Sequence, residues 1–179
     1  MLDTNILIAP DNLLKQLVES KQWTIIIPLV VVTELDGLQK NATPTGAEAK
    51  RSLGYLEKNI RALSKWIKVQ TSRGNYLADL NVRAEEIDFG GEDDDSRARS
   101  LDEIILRNVI WQQSNFVDRL AILSDNPARD REKVQEDTPK AVLITLDRNL
   151  RLKARAKGLL AATPKDMANI LLTQKAPDS

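Results

Sequence analysis

Apolar residues in the first third of the chain recur at spacings that predict helices separated by a short strand. Residues 5–20 carry leucines and Val18 at helical spacing, which predicts an amphipathic helix interrupted near Pro10. The run TIII at 24–27 predicts a buried strand. Residues 29–40 fit either a helix or a strand, because Pro28 suits a first helical turn whereas three consecutive valines favour a strand.

The middle of the chain carries the clearest helix signal. Thr45 and Glu48 have the spacing of a capping box and precede leucines and isoleucines at helical spacing, so a helix is predicted from Thr45. The segment IKVQT at 67–71 alternates between apolar and polar residues and predicts a strand that ends at the turn 72–75.

The second half alternates polar stretches with regular elements. Residues 88–99 and 115–140 are rich in charged and turn-forming residues and predict mobile loops. A second capping box, Ser100 with Glu103, begins a helix between them. The remaining predicted elements are a strand at 141–145, a helix at 149–157, a short strand at 159–161 and a helix at 164–174.

Strands that alternate with helices predict a single α/β domain over residues 1–179 with a mostly parallel central sheet. An apolar strand would have to start at or before Met1, so we expect a domain taken from a longer chain, with a natural start as the alternative. The longest apolar run is too short and interrupted to cross a membrane, so no membrane partner is expected.

Composition narrows the chemistry. The chain has 26 basic and 26 acidic residues, so net charge alone does not indicate a partner. It contains no cysteine and no histidine, which excludes thiolate or histidine metal sites, cysteine nucleophiles and serine–histidine triads. Carboxylates are therefore the strong metal ligands that remain.

Four carboxylates stand out by position. Asp3 and Asp147 follow predicted strands, where ligands bind in open parallel sheets, although aspartate at such places is commonly a cap. Asp102 lies in the first turn of its helix and shares a face with apolar residues. Glu34 lies in the apolar run VVVTELDGL, and a salt bridge to a basic residue is the alternative explanation for it.

Carboxylates that meet need a positive partner, because each pair at ~5 Å repels by roughly 3 kcal/mol at an effective dielectric near 20. An all-oxygen site suits Mg²⁺ or Mn²⁺, and these ions promote attack by water on a phosphodiester. The sequence therefore predicts nuclease chemistry.

Four motifs in order, LDTN, TELDGL, SLDEIIL and TLDRNLRLKA, resemble those of the PIN domain family, metal-dependent ribonucleases with a three-layer α/β/α, Rossmann-like fold. The segments TSRGN and DRNLR are similar to the eukaryotic Est1-like branch that includes the endonuclease of nonsense-mediated mRNA decay. A second eukaryotic PIN endonuclease branch, linked to transcription and nuclear mRNP surveillance, remains open. Length and polar inserts disfavour the bacterial toxin-type members.

The resemblance implies a division of roles among the acidic residues. It implies catalytic roles for Asp3, Glu34, Asp102 and Asp147, of which the three aspartates would hold one or two Mg²⁺ or Mn²⁺ ions. Glu34 would complete the shell or orient a water. Asn5 and Thr145 would orient the acids by hydrogen bonds. Cleavage would leave a 5′-phosphate and a 3′-hydroxyl.

One departure from the branch is Leu146, where the decay endonuclease has an additional aspartate. The lower negative charge there is expected to weaken binding of a second metal ion.

Single-stranded RNA is the expected partner, with mRNA decay or surveillance proteins as further ones, in cytoplasm or nucleus. Aromatic residues make up only 4% of the chain, so backbone contacts rather than base stacking are expected. The candidate phosphate contacts are Lys40, Lys50, Arg51, Arg73, Arg148 and Arg151. The alternative function is a catalytically silent PIN module that serves as a protein or RNA docking platform, and a monomer or weak oligomer is expected in either case.

Overall fold

The fold is an α/β arrangement whose described parts are residues 1–81, 101–115 and 140–173 of a computed structural model. The mobile loops predicted at 88–99 and 115–140 lie outside the described residues, apart from the end positions 115 and 140. Within the described ranges the helices are α1 (Thr4–Leu7), α2 (Leu13–Ser20), α3 (Leu29–Leu38), α4 (Pro44–Asn59), α5 (Leu101–Asn115), α6 (Arg148–Ala156) and α7 (Pro164–Thr173). The strands are β1 (Ile25–Pro28), β2 (Ile67–Gln70), β3 (Tyr76–Leu77), β4 (Val142–Ile144) and β5 (Leu160–Ala162).

The first three residues join two strand ladders. Strand β1 pairs in parallel with β2, β2 pairs antiparallel with β3, and β4 pairs in parallel with β5. Leu2 donates its backbone N–H to Ile26 of β1 at 3.1 Å, and Asp3 donates to Ile144 of β4 at 3.2 Å. The resulting order is β3, β2, β1, residues 1–3, β4, β5, with β3 alone antiparallel among these strands. The carboxyl ends of the parallel strands thus share one edge.

Helix α3 resolves the ambiguity of residues 29–40. Pro28 ends β1 and serves as the N-cap of α3, and the valine run continues as helix with Val31 and Val32 fully buried. Burial on the inner face compensates for the low helix propensity of valine, since packing contributes more than propensity to helix stability in proteins.

The capping box predicted at Thr45 and Glu48 is wrong. The N-cap of α4 lies two residues earlier, at Thr43, whose side chain accepts a hydrogen bond from the backbone N–H of Gly46 at 3.1 Å. Pro44 supplies the first helical position, where its fixed φ suits the helix and its missing N–H costs nothing. Glu48 instead forms an ion pair with Arg51.

The other predicted elements in the described ranges are confirmed to within two residues at their ends, and β3 is an addition. The core between the helices and the sheet is made mainly of leucine, isoleucine and valine from the N-terminal segment, α1 to α6, β1, β2 and β4, with Ala161 of β5 and Met167 of α7. No helix of the described ranges has the length and apolar character needed to cross a membrane.

Candidate active site

The sheet and its helices position all four predicted acids. Asp3 follows the central residue Leu2, and Asp147 lies three residues beyond the end of β4. Asp102 is the second residue of α5, and Glu34 lies in the middle of α3, the helix that continues directly from β1. The carboxyl edge of the sheet therefore carries Asp3 and Asp147, as the sequence predicts.

Asp3 is a buried carboxylate held by three donors. Its side chain is 4% exposed, and its Oδ1 caps α1 by accepting from the Thr4 backbone N–H at 2.7 Å. Its Oδ2 accepts from Thr145 Oγ1 at 2.7 Å and from Asn5 Nδ2 at 3.4 Å. Burial raises the pKa of Asp3 above its usual value, the three hydrogen bonds oppose this, and the charge of Asp102 raises it further.

Thr145 links the two strand-end aspartates. Its side chain is fully buried, and its hydroxyl donates to Asp3 and accepts the backbone N–H of Asp147 at 2.9 Å. Its backbone N–H pairs with Ala162 of β5, and its carbonyl accepts from the Arg151 guanidinium at 2.9 Å. Every polar atom of Thr145 therefore has a partner, which fixes the hydroxyl that orients Asp3.

Asp147 caps α6 with one of its two carboxylate oxygens. Its Oδ1 accepts from the backbone N–H groups of Asn149 at 2.7 Å and Leu150 at 3.1 Å. Aspartate at the N-cap stabilises a helix both by these bonds and by its charge at the positive end of the dipole. The capping alternative considered from the sequence thus holds for Asp147 and for Asp3, and it does not conflict with a role in a site.

Glu34 is bound by a hydroxyl. Thr4 Oγ1 donates to Glu34 Oε2 at 2.5 Å, and the glutamate is half-buried. In the described part of the chain Glu34 forms no salt bridge, so the alternative explanation by a basic partner is wrong there. Since Thr4 directly follows Asp3, consecutive residues tie two acids of the site to each other.

Asp102 has a basic partner. Lys153 Nζ of α6 donates to Asp102 Oδ2 at 2.8 Å, with 23% of the aspartate side chain and 49% of the lysine side chain exposed. The hydrogen bond to Asp102 and its charge raise the pKa of Lys153, and the charges of Asp147 and Glu103 act in the same direction. The lysine thus lies in the field of several acids.

The donor chemistry of this region suits a hard divalent cation, because the side-chain ligands on offer are carboxylate and hydroxyl oxygens. Across residues 1–81, 101–115 and 140–173, however, no three acids meet closely enough to hold an ion. Lys153 holds Asp102, while capping and hydroxyl bonds hold Asp3 and one oxygen of Asp147. The oxygen ligands of the site are therefore of the kind that a divalent cation prefers, and one of the acids, Asp102, is paired with the ammonium group of Lys153.

A family model described as PIN domain matches residues 1–165. The chain belongs to the PIN domain family. A curated relative, the telomerase-binding protein EST1A of Danio rerio, is 31% identical over 170 residues, covering 88% of this chain and 10% of that protein. The chain therefore spans about a tenth of that relative's length. The resemblance to PIN domains and to their Est1-like branch is confirmed, and with it the predicted fold class.

Membership in the PIN domain family indicates a nuclease-type function in RNA metabolism. The nucleases of this family typically use Mg²⁺ or Mn²⁺. The coarse prediction of a nuclease is thus supported. The single-stranded RNA substrate, the metal requirement and the roles of individual residues go beyond this match.

The basic residues predicted to contact RNA fall into two groups in this PIN domain. Lys40 forms an ion pair with Asp36 at 3.3 Å, Arg51 pairs with Glu48, and Arg151 binds the Thr145 carbonyl. The second group, Lys50, Arg73 and Arg148, is exposed and has no ion-pair partner among the described residues. Arg73 and Arg148 follow β2 and β4 and so lie at the same edge of the sheet as the acids.

Two contacts of the site could not be found by sequence reasoning. The bond from Thr4 to Glu34 spans 30 residues, and the pair of Lys153 with Asp102 spans 51. Thr4 lies within the motif LDTN, and Lys153 lies within the motif TLDRNLRLKA. Neither motif indicates which residue these side chains contact. Only the tertiary structure, which packs α1 on α3 and brings Lys153 of α6 to Asp102 of α5, reveals their partners.

Proposed function

We propose that this PIN domain is a divalent-metal-dependent endoribonuclease that cleaves single-stranded RNA. The observation that carries the proposal is the coupling of Asp3 and Asp147 through one buried hydroxyl, that of Thr145, at the carboxyl edge of the sheet. The charge of Asp102 reaches Asp3, and Thr4 connects Glu34 to the same place. These pairwise links between Asp3 and the other three acids go beyond what helix capping requires.

The residues divide the work by their surroundings. Asp3 is buried and oriented by Thr145 and Asn5, so its free lone pairs point in a fixed direction. Asp147 uses one oxygen for capping, which leaves the other for a ligand. A bound Mg²⁺ or Mn²⁺ would neutralise these acids and polarise the phosphodiester. Glu34, held by Thr4, is placed to orient a water or complete the ligand set.

Exposed basic residues supply the contacts to the RNA backbone in this proposal. Arg73 and Arg148 border the acids, and Lys50 extends the positive surface on α4. Phosphate contacts of this kind bind RNA without reading its sequence, so affinity should fall as salt rises. We propose further that cleavage leaves a 5′-phosphate and a 3′-hydroxyl. The proposal also includes a single domain over residues 1–179 and a function in mRNA decay or surveillance.

The test is cleavage of a labelled, unstructured RNA in Mn²⁺ and in EDTA. We expect cleavage with Mn²⁺ and none with EDTA. Asp102→Asn should abolish it while the unfolding temperature stays close to that of the wild type. Glu103→Gln is the matched control, because Glu103 is the exposed next residue of the same helical turn. Cleavage by Asp102→Asn at the wild-type rate would refute the assignment.

A second function, a catalytically silent docking module, is favoured by two observations. Lys153 already neutralises Asp102, and no metal-binding group of three acids forms in the described residues. Absence of Mn²⁺-dependent cleavage at high protein concentration, together with RNA binding that is the same in EDTA, would select this function over the nuclease.

A further inference from the structure

The ion pair of Lys153 and Asp102 links α6 to α5. Lys153 lies in the second turn of α6, the helix capped by Asp147, and Asp102 opens α5. Their contact at 2.8 Å brings the Lys153 ammonium to Asp102, where the charges of Asp147 and Glu103 also act on it. Neither helix needs the pair to form, since α6 is already capped by Asp147.

The surroundings of the ammonium are acidic. Besides Asp102, the charges of Asp147 and Glu103 act on it, and the charge of Asp102 acts on the buried Asp3. Acids this close repel each other when no cation is present. A single positive group among them lowers that repulsion, and here the chain itself supplies it.

We propose that Lys153 is a tethered counterion that occupies the cation position beside Asp102 and that a divalent ion displaces when it binds. The inference rests on the proposed cation site of the nuclease. Lys153 thereby weakens metal binding and, in the metal-free protein, keeps the acids together. It is a positioning residue of the site and does not itself act on the substrate.

The exposure of the pair makes displacement feasible. Half of the lysine side chain is exposed, and an ion pair at such a surface is weak. The four-carbon stem lets the ammonium move into solvent without moving the backbone. A divalent ion has twice the charge and can bind several oxygens together, so it competes well for Asp102.

The experiment measures Mn²⁺ binding to metal-stripped protein by calorimetry. Lys153→Met removes the charge and keeps the stem, and Lys153→Gln is a second uncharged variant should the first fold poorly. We expect either to lower the Kd for Mn²⁺ by about fivefold, because a competing and repelling charge is gone. Lys153→Arg should bind as the wild type does. Lys157→Met, one turn further on and exposed, is the matched control and should also leave the Kd unchanged.

Thermal unfolding gives a second readout. In EDTA, Lys153→Met should unfold at a lower temperature than the wild type, and Mn²⁺ should raise its unfolding temperature by more than it raises that of the wild type. An unchanged or weaker affinity for Mn²⁺ in both uncharged variants would overturn the inference. If the uncharged Lys153 variants bind Mn²⁺ more tightly but the wild type never cleaves RNA, the inference is supported and the nuclease function is refuted. If the wild type cleaves RNA but the variants bind Mn²⁺ with unchanged affinity, the nuclease function is supported and the inference is refuted.

Discussion

Thr145 donates its hydroxyl to Asp3 at 2.7 Å across 142 residues of sequence. The bond forms because residues 1–3 lie beside β4 and run parallel to it, so the carboxyl ends of these two segments meet. Both partners are almost completely buried. A hydrogen bond to a buried charged group is worth more than one at the surface, so this contact supports both the fold and the orientation of the acid.

Replacing Thr145 by valine should test that double role. Thr145→Val keeps the shape but leaves Asp3 Oδ2 with only the longer bond from Asn5 and removes the acceptor of the Asp147 backbone N–H. This should cost about 1–3 kcal/mol of the free energy of unfolding. Thr145→Ser keeps the hydroxyl and is the matched control. Urea denaturation measures the stability, and the RNA assay should show cleavage lost with valine and retained with serine. Wild-type stability in the valine variant would contradict this.

The raised pKa of Asp3 leads to a prediction on pH. Burial makes the ionised form costly in the folded state, so the folded protein holds the proton more tightly than the unfolded chain, whose value is near 3.8. Stability should therefore fall as pH rises from about 3.8 through the raised pKa, and the full cost is present above it. The sign is opposite to that of an aspartate held by a salt bridge.

Asp3→Asn removes this titration while keeping an oxygen to cap α1. In EDTA we expect the variant to be at least as stable as the wild type at pH 7, with a difference that shrinks as the pH falls toward 4. Mn²⁺ should stabilise the wild type and leave the variant unchanged. Thermal unfolding between pH 4 and 8 measures both effects. A variant less stable at pH 7 than at pH 4, relative to the wild type, would show that the hydrogen bonds outweigh burial.

The sequence locates the acids well because two simple rules apply to them. Residues that follow parallel strands share one edge of the sheet, which brings Asp3 and Asp147 together. An aspartate in a first helical turn that shares a face with buried residues points toward the body of the protein, as Asp102 does beside Ile105 and Val109.

The sequence could not supply what depends on tertiary packing or on very short elements. Strand β3 has two residues, too few for an alternating pattern to appear. The N-cap of α4 is Thr43 because Pro44 occupies the first helical position. The sequence predicts Thr45 instead, because Thr45 and Glu48 also have the spacing of a capping box. The partner of Asp102 is Lys153, 51 residues further along the chain, and no local spacing records that contact.

Gly74 holds the turn that carries Arg73. Its φ of 88° lies in the left-handed region, and a Cβ there would collide with the Trp111 ring of α5. Gly74→Ala should therefore destabilise the protein by about 1–3 kcal/mol through strain and the clash. It should also weaken RNA binding by displacing Arg73.

Gly54→Ala is the matched control for this substitution. Gly54 lies inside α4 with no atom within 4 Å of an added Cβ, so alanine there should stabilise the protein by about 0.5–1 kcal/mol. Urea denaturation and fluorescence anisotropy of a labelled RNA in EDTA measure the two effects. Equal RNA affinity in both variants would exclude the turn from the RNA contact.

Leu146 allows the charge of the site to be raised without disturbing the core. Leu146 is 53% exposed and lies next to Asp147. Leu146→Asp should lower the Kd for Mn²⁺ by about fivefold, because one more anionic group attracts the ion. Leu160→Asp, at 47% exposure on β5, is the control for placing an aspartate at an exposed leucine. If both substitutions change Mn²⁺ binding equally, net charge rather than the position beside Asp147 determines the affinity.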